Sequence, residues 1–262
     1  MLHNLKIEWL KIKGYKVFQI FSILYIFGII AIIFIFYRVY NDFVKKIADD
    51  MQMGAAVKDD MFDIFKGDTI WQTTCFWTSF LLYLPGIIVI MLFTNEVNFK
   101  THRQNIIDGW KRSEFITSKI SLIVCITLVV TITNILAVFI MCKFVNISFT
   151  MDWQTLGYCF LQTFTYLMFA LTMAILLRKS GVAIILFFVY GLIIEAILVG
   201  TLNSQGLSPS GYFLPLQAAD TLIPFSKIYS NVPNQYYLLT AALAWCSIYI
   251  FSAIRKYQTE DL

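Results

Sequence analysis

The stretch VFQIFSILYIFGIIAIIFIFYRVY, residues 17–40, decides the fold. Its one charge, Arg38, stands near the end. About 20 apolar residues at about 1.5 Å each cross about 30 Å of hydrocarbon, so this run is long enough to span a membrane. It lacks the alternation of a barrel strand, which leaves a helix, whose backbone groups all bond internally. Five further runs qualify, at 69–93, 115–142, 155–177, 182–200 and 236–254, and the six take up about half of the 262 residues. Composition agrees: 59% of the residues are hydrophobic and 14% charged, against about 25% charged in a soluble domain. The expected fold is an all-α membrane protein, a single domain of six transmembrane helices.

The net charge of +4 is read as topology, with no nucleic-acid partner. With the N-terminus inside, thirteen Lys and Arg fall on the cytoplasmic side, among them Lys11, Lys13, Lys16, Arg103, Arg112 and Lys119, against seven outside. The first outer loop is acidic, with Asp42, Asp49, Asp50 and Asp59 among its residues. Both termini are therefore expected in the cytoplasm. The first span is too long for a signal peptide and no small-x-small cleavage pattern follows it. The five cysteines (Cys75, Cys125, Cys142, Cys159, Cys246) all lie in expected spans, odd in number and without C-x-x-C spacing. That pattern reads as buried free thiols, with neither a disulfide framework nor a zinc site.

Three segments stand apart from the plain spans. In residues 1–16, Leu2, Leu5, Trp9 and Ile12 share one helical face, and the lysines lie elsewhere. This predicts an interfacial helix in contact with membrane lipid. Residues 94–114, TNEVNFKTHRQNIIDGWKRSE, are long enough for three helical turns, with Ile106, Ile107 and Trp110 as apolar anchors. Such anchors suit a docking helix for a cytoplasmic partner. Residues 201–235 hold four of the five prolines, and their segment YFLPLQAADTLIPF is too apolar for a free loop and too Pro-broken to span. A re-entrant or surface-lying helical hairpin between spans five and six is the physical solution.

Within the membrane, Glu195 is the one acid in a span, where a central charge costs about 2.5–3.5 kcal/mol on insertion scales. It reads either as part of a translocation path or gate, or as a hydrogen-bonded tie from span five to its neighbours. Thr74 and Thr78 before Pro85-Gly86 in span two, Asn134 in span three and Gln162 in span four are further path candidates and expected donors of inter-helix hydrogen bonds. Pro85-Gly86 should kink span two. Trp71, Trp77, Trp153, Tyr236, Tyr237 and Tyr257 lie near span ends, as interfacial belts do.

Enzymatic readings find no support. Both histidines, His3 and His102, fall outside the spans, which leaves no Ser–His pair in the membrane. H-E-x-x-H and G-x-x-x-x-G-K-[ST] are both missing, and Glu195 has no intramembrane carboxylate partner. No catalytic, metal or cofactor site is expected on this chain.

The order Glu96, Thr101, Arg103, Gln104, Asn105, Ile107, Gly109, Arg112, followed by Phe115 and Lys119, resembles the loop between spans two and three of ABC-2 type transporter permeases. The likeness to their compact six-span bacterial branch rests on the string T-x-R-Q-N-x-I-x-G-x-x-R. The motif covers this loop alone, while the layout (interfacial start, six spans, broken outer hairpin) matches over the whole chain. The resemblance implies that the loop is a coupling helix seated on a separate ATPase subunit, which carries ATP and Mg. It also implies a second permease chain, identical or a sibling, the bacterial inner membrane as location, and export as the activity. The apolar and hydroxyl-rich spans lean toward an amphipathic or hydrophobic substrate. A six-span channel, or a membrane assembly or scaffold protein without ATP coupling, stays open beside this reading.

Overall fold

The computed structural model describes residues 2–49, 69–107, 109–223 and 232–259. Every regular element among them is helical. Helix α1 (Leu2–Lys13) turns at Gly14 and Tyr15 into α2 (Lys16–Asp49). Then come α3 (Ile70–Ser79), a 3-10 turn (Phe80–Leu82), α4 (Tyr83–Asn98), the short α5 (Thr101–Ile107), α6 (Arg112–Val145) and α7 (Trp153–Leu177). Next, α8 (Ser180–Val189) passes through a π turn (Tyr190–Ile194) into α9 (Glu195–Leu202). A second π turn (Asn203–Leu207), a 3-10 turn (Ser210–Phe213) and α10 (Gln217–Asp220) lead on toward α11 (Gln235–Thr259).

Among the described residues, α2, α3–α4, α6, α7, α8–α9 and α11 give six helices long and apolar enough to cross a membrane. The architecture is that of a multi-pass helical membrane protein. Helix α7 is the axis, packed against α4, α6, α8 and α11, with 72% of its apolar window buried, against 17% for α2. Ile23, Phe27 and Ile30 on α2 face outward, which costs nothing where hydrocarbon is the solvent. The α1, α5 and Tyr257 ends lie together at one face of the bundle, here the α1 end. Helix α10 lies at the other, the hairpin end.

Local chemistry sets the element ends. Asp152 accepts hydrogen bonds from the backbone N–H groups of Gln154 (3.0 Å) and Thr155 (3.1 Å) and so opens α7. Glu114 accepts from the Lys111 N–H (3.1 Å) at the start of α6. Gly109 takes φ +100° in the turn before α6, a conformation that a side chain resists. Span two tightens into a 3-10 turn at Phe80–Leu82, a few residues before the Pro85-Gly86 pair. Proline removes the N–H that would bond the carbonyl four residues back, at Leu81, and its ring crowds that carbonyl. The turn preceding it therefore tightens.

Four expectations are corrected. Cys75 on α3 and Cys159 on α7 form a disulfide, with Cα atoms 6.4 Å apart, so the free cysteines are Cys125, Cys142 and Cys246. The two cysteines lie within two turns of the hairpin-end termini of helices that pack together, and their separation of 84 residues is no obstacle to pairing. Trp71 and Tyr257 are buried, not interfacial: the Trp71 indole N–H donates to the Thr150 carbonyl (2.8 Å), and Tyr257 stacks on Phe115 at 5.0 Å. Trp153, Tyr236 and Tyr237 are exposed. Thr74 and Thr78 do not bond across helices. Their hydroxyls donate to the Ile70 (2.7 Å) and Cys75 (3.2 Å) carbonyls of their own helix, which lie within reach at every helical threonine. Helix α5 has two turns in place of three, because Arg112 has already joined α6.

Candidate functional site

At the α1 end, four charged side chains meet. Lys119, inside α6 and 3% exposed, donates to Glu8 Oε2 on α1 (2.5 Å) and to Glu96 Oε1 on α4 (2.7 Å). Lys11 stands 3.4 Å from both carboxylates, so the cluster has two charges of each sign. The Asn95 amide donates to the Tyr15 hydroxyl, a second tie between the α1–α2 turn and α4. Glu8 lies in the apolar stripe of α1, and its pairing rolls the helix. Glu8 and Ile12 turn inward, while Trp9, expected on the same face, is 57% exposed.

The expected coupling residues divide. Glu96 points into this cluster, and the Arg112 guanidinium donates to the Gln258 carbonyl at the end of α11 (2.9 Å). Both brace the bundle. Thr101 Oγ1 donates to the Glu96 carbonyl (3.3 Å), at the turn where Lys100 takes a left-handed conformation. Arg103 and Gln104 are exposed. Phe99 (77%) and Ile107 (76%) are among the most exposed apolar side chains of the protein. The Asn105 side chain lies outside the described residues. Trp110, expected as an anchor beside Ile107, packs onto the bundle core.

At the hairpin end, the described part of the segment between spans five and six is fastened to the spans by polar groups. Glu195, 2% exposed, accepts from the backbone N–H of Leu216 (2.7 Å) and Gln217 (3.0 Å). This carboxylate ties span five to the first turn of α10. Asp220 accepts from the Gln162 amide (2.8 Å) and the Tyr166 hydroxyl (2.8 Å) on α7. Burial pushes the Asp220 carboxyl up to about 6, and these two hydrogen bonds oppose the rise. The Trp245 indole on α11 donates to the Phe213 carbonyl (2.9 Å). Below α10, Ser79, Tyr83, Gln162, Tyr166 and Asp220 share a cavity of about 120 Å³. Gln162 therefore joins Asp220 at a polar hollow. Thr74, Thr78 and Asn134 are buried elsewhere in the core, and Asn134 Oδ1 makes no hydrogen bond among the described residues. Residues 224–231 of the expected hairpin lie outside the described residues.

Sequence reasoning missed Glu8 and Asp220. The available signal was the same for both, an acid set in an otherwise apolar face. Among the described residues, no group of three His, Cys, Asp or Glu is placed to hold a metal ion. The comparisons bring no family: no known family description matches the chain, and no curated protein is similar to it.

Proposed function

We propose that the chain is the transmembrane subunit of an ATP-binding cassette exporter, driven by a separate ATPase and paired with a second permease chain. The observation that carries the reading is α5. It is a short helix between two spans that turns Arg103, Gln104 and Ile107 outward at the end where α1 lies. An exposed isoleucine flanked by basic and amide side chains is suited to a groove on a soluble partner. Force applied there reaches the bundle directly, since α5 joins α4 to α6 and both are clamped through Lys119. ATP-driven closure of the ATPase pair would push on α5 and shift the spans between two states. The cargo is amphipathic or hydrophobic, and it passes the polar hollow under α10 or the chain–chain seam. The α1 end faces the cytoplasm of a bacterial inner membrane, which leaves the Cys75–Cys159 disulfide on the oxidising side.

The test is purification of the full-length tagged chain from native membranes. An ATP-binding subunit should accompany it, and Arg103→Glu or Ile107→Asp, both on exposed side chains, should release that subunit while the bundle stays folded. Isolation of the chain without an ATPase, or retention of the ATPase by both variants, overturns the reading.

A further inference from the structure

Beside α1 the bundle has a second hollow, unrelated to the polar one under α10. Tyr25 on α2, Ile88 on α4, Leu122 and Val129 on α6, and Trp9 and Ile12 of α1 line it. It measures about 230 Å³, and two of its lining residues, Ile26 on α2 and Val129 on α6, are also exposed at the surface. Two of its few polar side chains pair with each other: the Tyr25 hydroxyl and Thr133 Oγ1 lie 3.4 Å apart, and Thr133 also bonds the Val130 carbonyl. Water has little reason to fill it, because a buried water needs two to four polar partners.

The chain beside the groove has the opposite character. Ile12 and Phe18 belong to the lining, and between them in sequence the α1–α2 turn carries Lys13 and Lys16, both exposed. Lys11 and Lys119 are matched by Glu8 and Glu96, so among the described side chains of α1 and its turn Lys13 and Lys16 are the excess positive charge. An apolar slot lined in part by α1 and adjoining a turn with two exposed lysines has the chemistry of a lipid site. We propose that the groove holds an acyl chain of an anionic phospholipid from the leaflet beside α1, with the headgroup phosphate against Lys13 and Lys16. This site requires neither an ATPase partner nor a given transport direction.

The experiment uses the full-length chain in phosphatidylcholine nanodiscs with a trace of phosphatidylglycerol carrying a photoreactive group on its acyl chain. The label should concentrate about 10-fold on peptides covering 18–26 and 122–133 relative to the outward face at Ile30 and Phe34. Unlabelled phosphatidylglycerol should displace it roughly 30-fold better than phosphatidylcholine, the preference that two lysines confer on an anionic headgroup. Val129→Trp should fill the slot and remove the label. Lys13→Glu with Lys16→Glu, on an exposed turn that leaves the core intact, should abolish the headgroup preference. Even labelling around the bundle, or equal displacement by both lipids, refutes the site and leaves ordinary annular lipid. Spontaneous Cys125–Cys125 cross-linking between chains with no lipid label refutes it too, and seats a second copy in the groove.

Discussion

Replacing Lys119 by Met is the sharpest test of what holds α1 to the bundle. The substitution keeps an unbranched side chain of similar volume, one atom shorter, and removes the ammonium with its charge and its donors. Lys119 contacts Glu8 at 2.5 Å and Glu96 at 2.7 Å. At an effective dielectric of about 20, each contact has a gross attraction of roughly 6 kcal/mol. Most of this is cancelled, because moving each ion out of water costs several kcal/mol. Lys119→Met removes the attraction and leaves two desolvated carboxylates facing each other, with only the half-exposed Lys11 at 3.4 Å. The expected loss is about 3–5 kcal/mol, or roughly 10²–10⁴-fold in the folded-to-unfolded ratio. The neutral triple variant Glu8→Gln, Glu96→Gln, Lys119→Met removes attraction and desolvation together, and should lie within about 1–2 kcal/mol of the parent. Equilibrium unfolding in mixed micelles measures both. Trypsin cleavage at Lys13 and Lys16 reports release of α1 and should quicken in the single variant alone. A single variant that loses under about 1 kcal/mol, or a triple no more stable than the single, would refute the reasoning that a buried ion cluster anchors this helix.

Three other outcomes are expected. Glu195→Leu should strand the Leu216 and Gln217 N–H groups, at a cost of about 2–5 kcal/mol, whereas Glu195→Gln keeps an acceptor and should cost under about 1 kcal/mol; thermal unfolding and proteolysis of the hairpin distinguish them, and equal losses would show that the carboxylate does not fasten α10. Gly86→Ala would drive its new methyl into the Phe187 ring, costing about 1–3 kcal/mol, and Phe187→Leu in the same chain should recover part of that; additive losses in the double variant count against the contact. Thiol counting in denaturant should give three reactive cysteines without reductant and five with it; five in both conditions would exclude the Cys75–Cys159 bond.

The spans were legible because a membrane makes one demand, about 20 apolar residues in a helix that satisfies its own backbone, and a linear sequence displays that demand openly. Polar residues inside the spans obey a different rule, set by helix rotation and by which helices are neighbours. Local geometry decides for threonine: its own helix supplies a carbonyl at every position, so Thr74 and Thr78 bond at home and no partner helix needs to be known. Longer side chains reach outward, and their partners lie far along the chain, 111 residues away for Lys119 with Glu8 and 58 for Gln162 with Asp220. Such pairs leave half a signature each. Glu8 interrupts the apolar face of α1, and Asp220 interrupts YFLPLQAADTLIPF. An acid in that position reads as an imperfection of the pattern until its counterpart is seen, yet an unpaired charge there would be too costly to keep. Each such interruption is therefore evidence that a partner exists elsewhere in the chain. The loop 94–114 divides by the same logic. Glu96 and Arg112 find partners inside the bundle, whereas Phe99, Arg103, Gln104 and Ile107 are exposed, so among the described side chains an outside contact through this loop falls to the latter group.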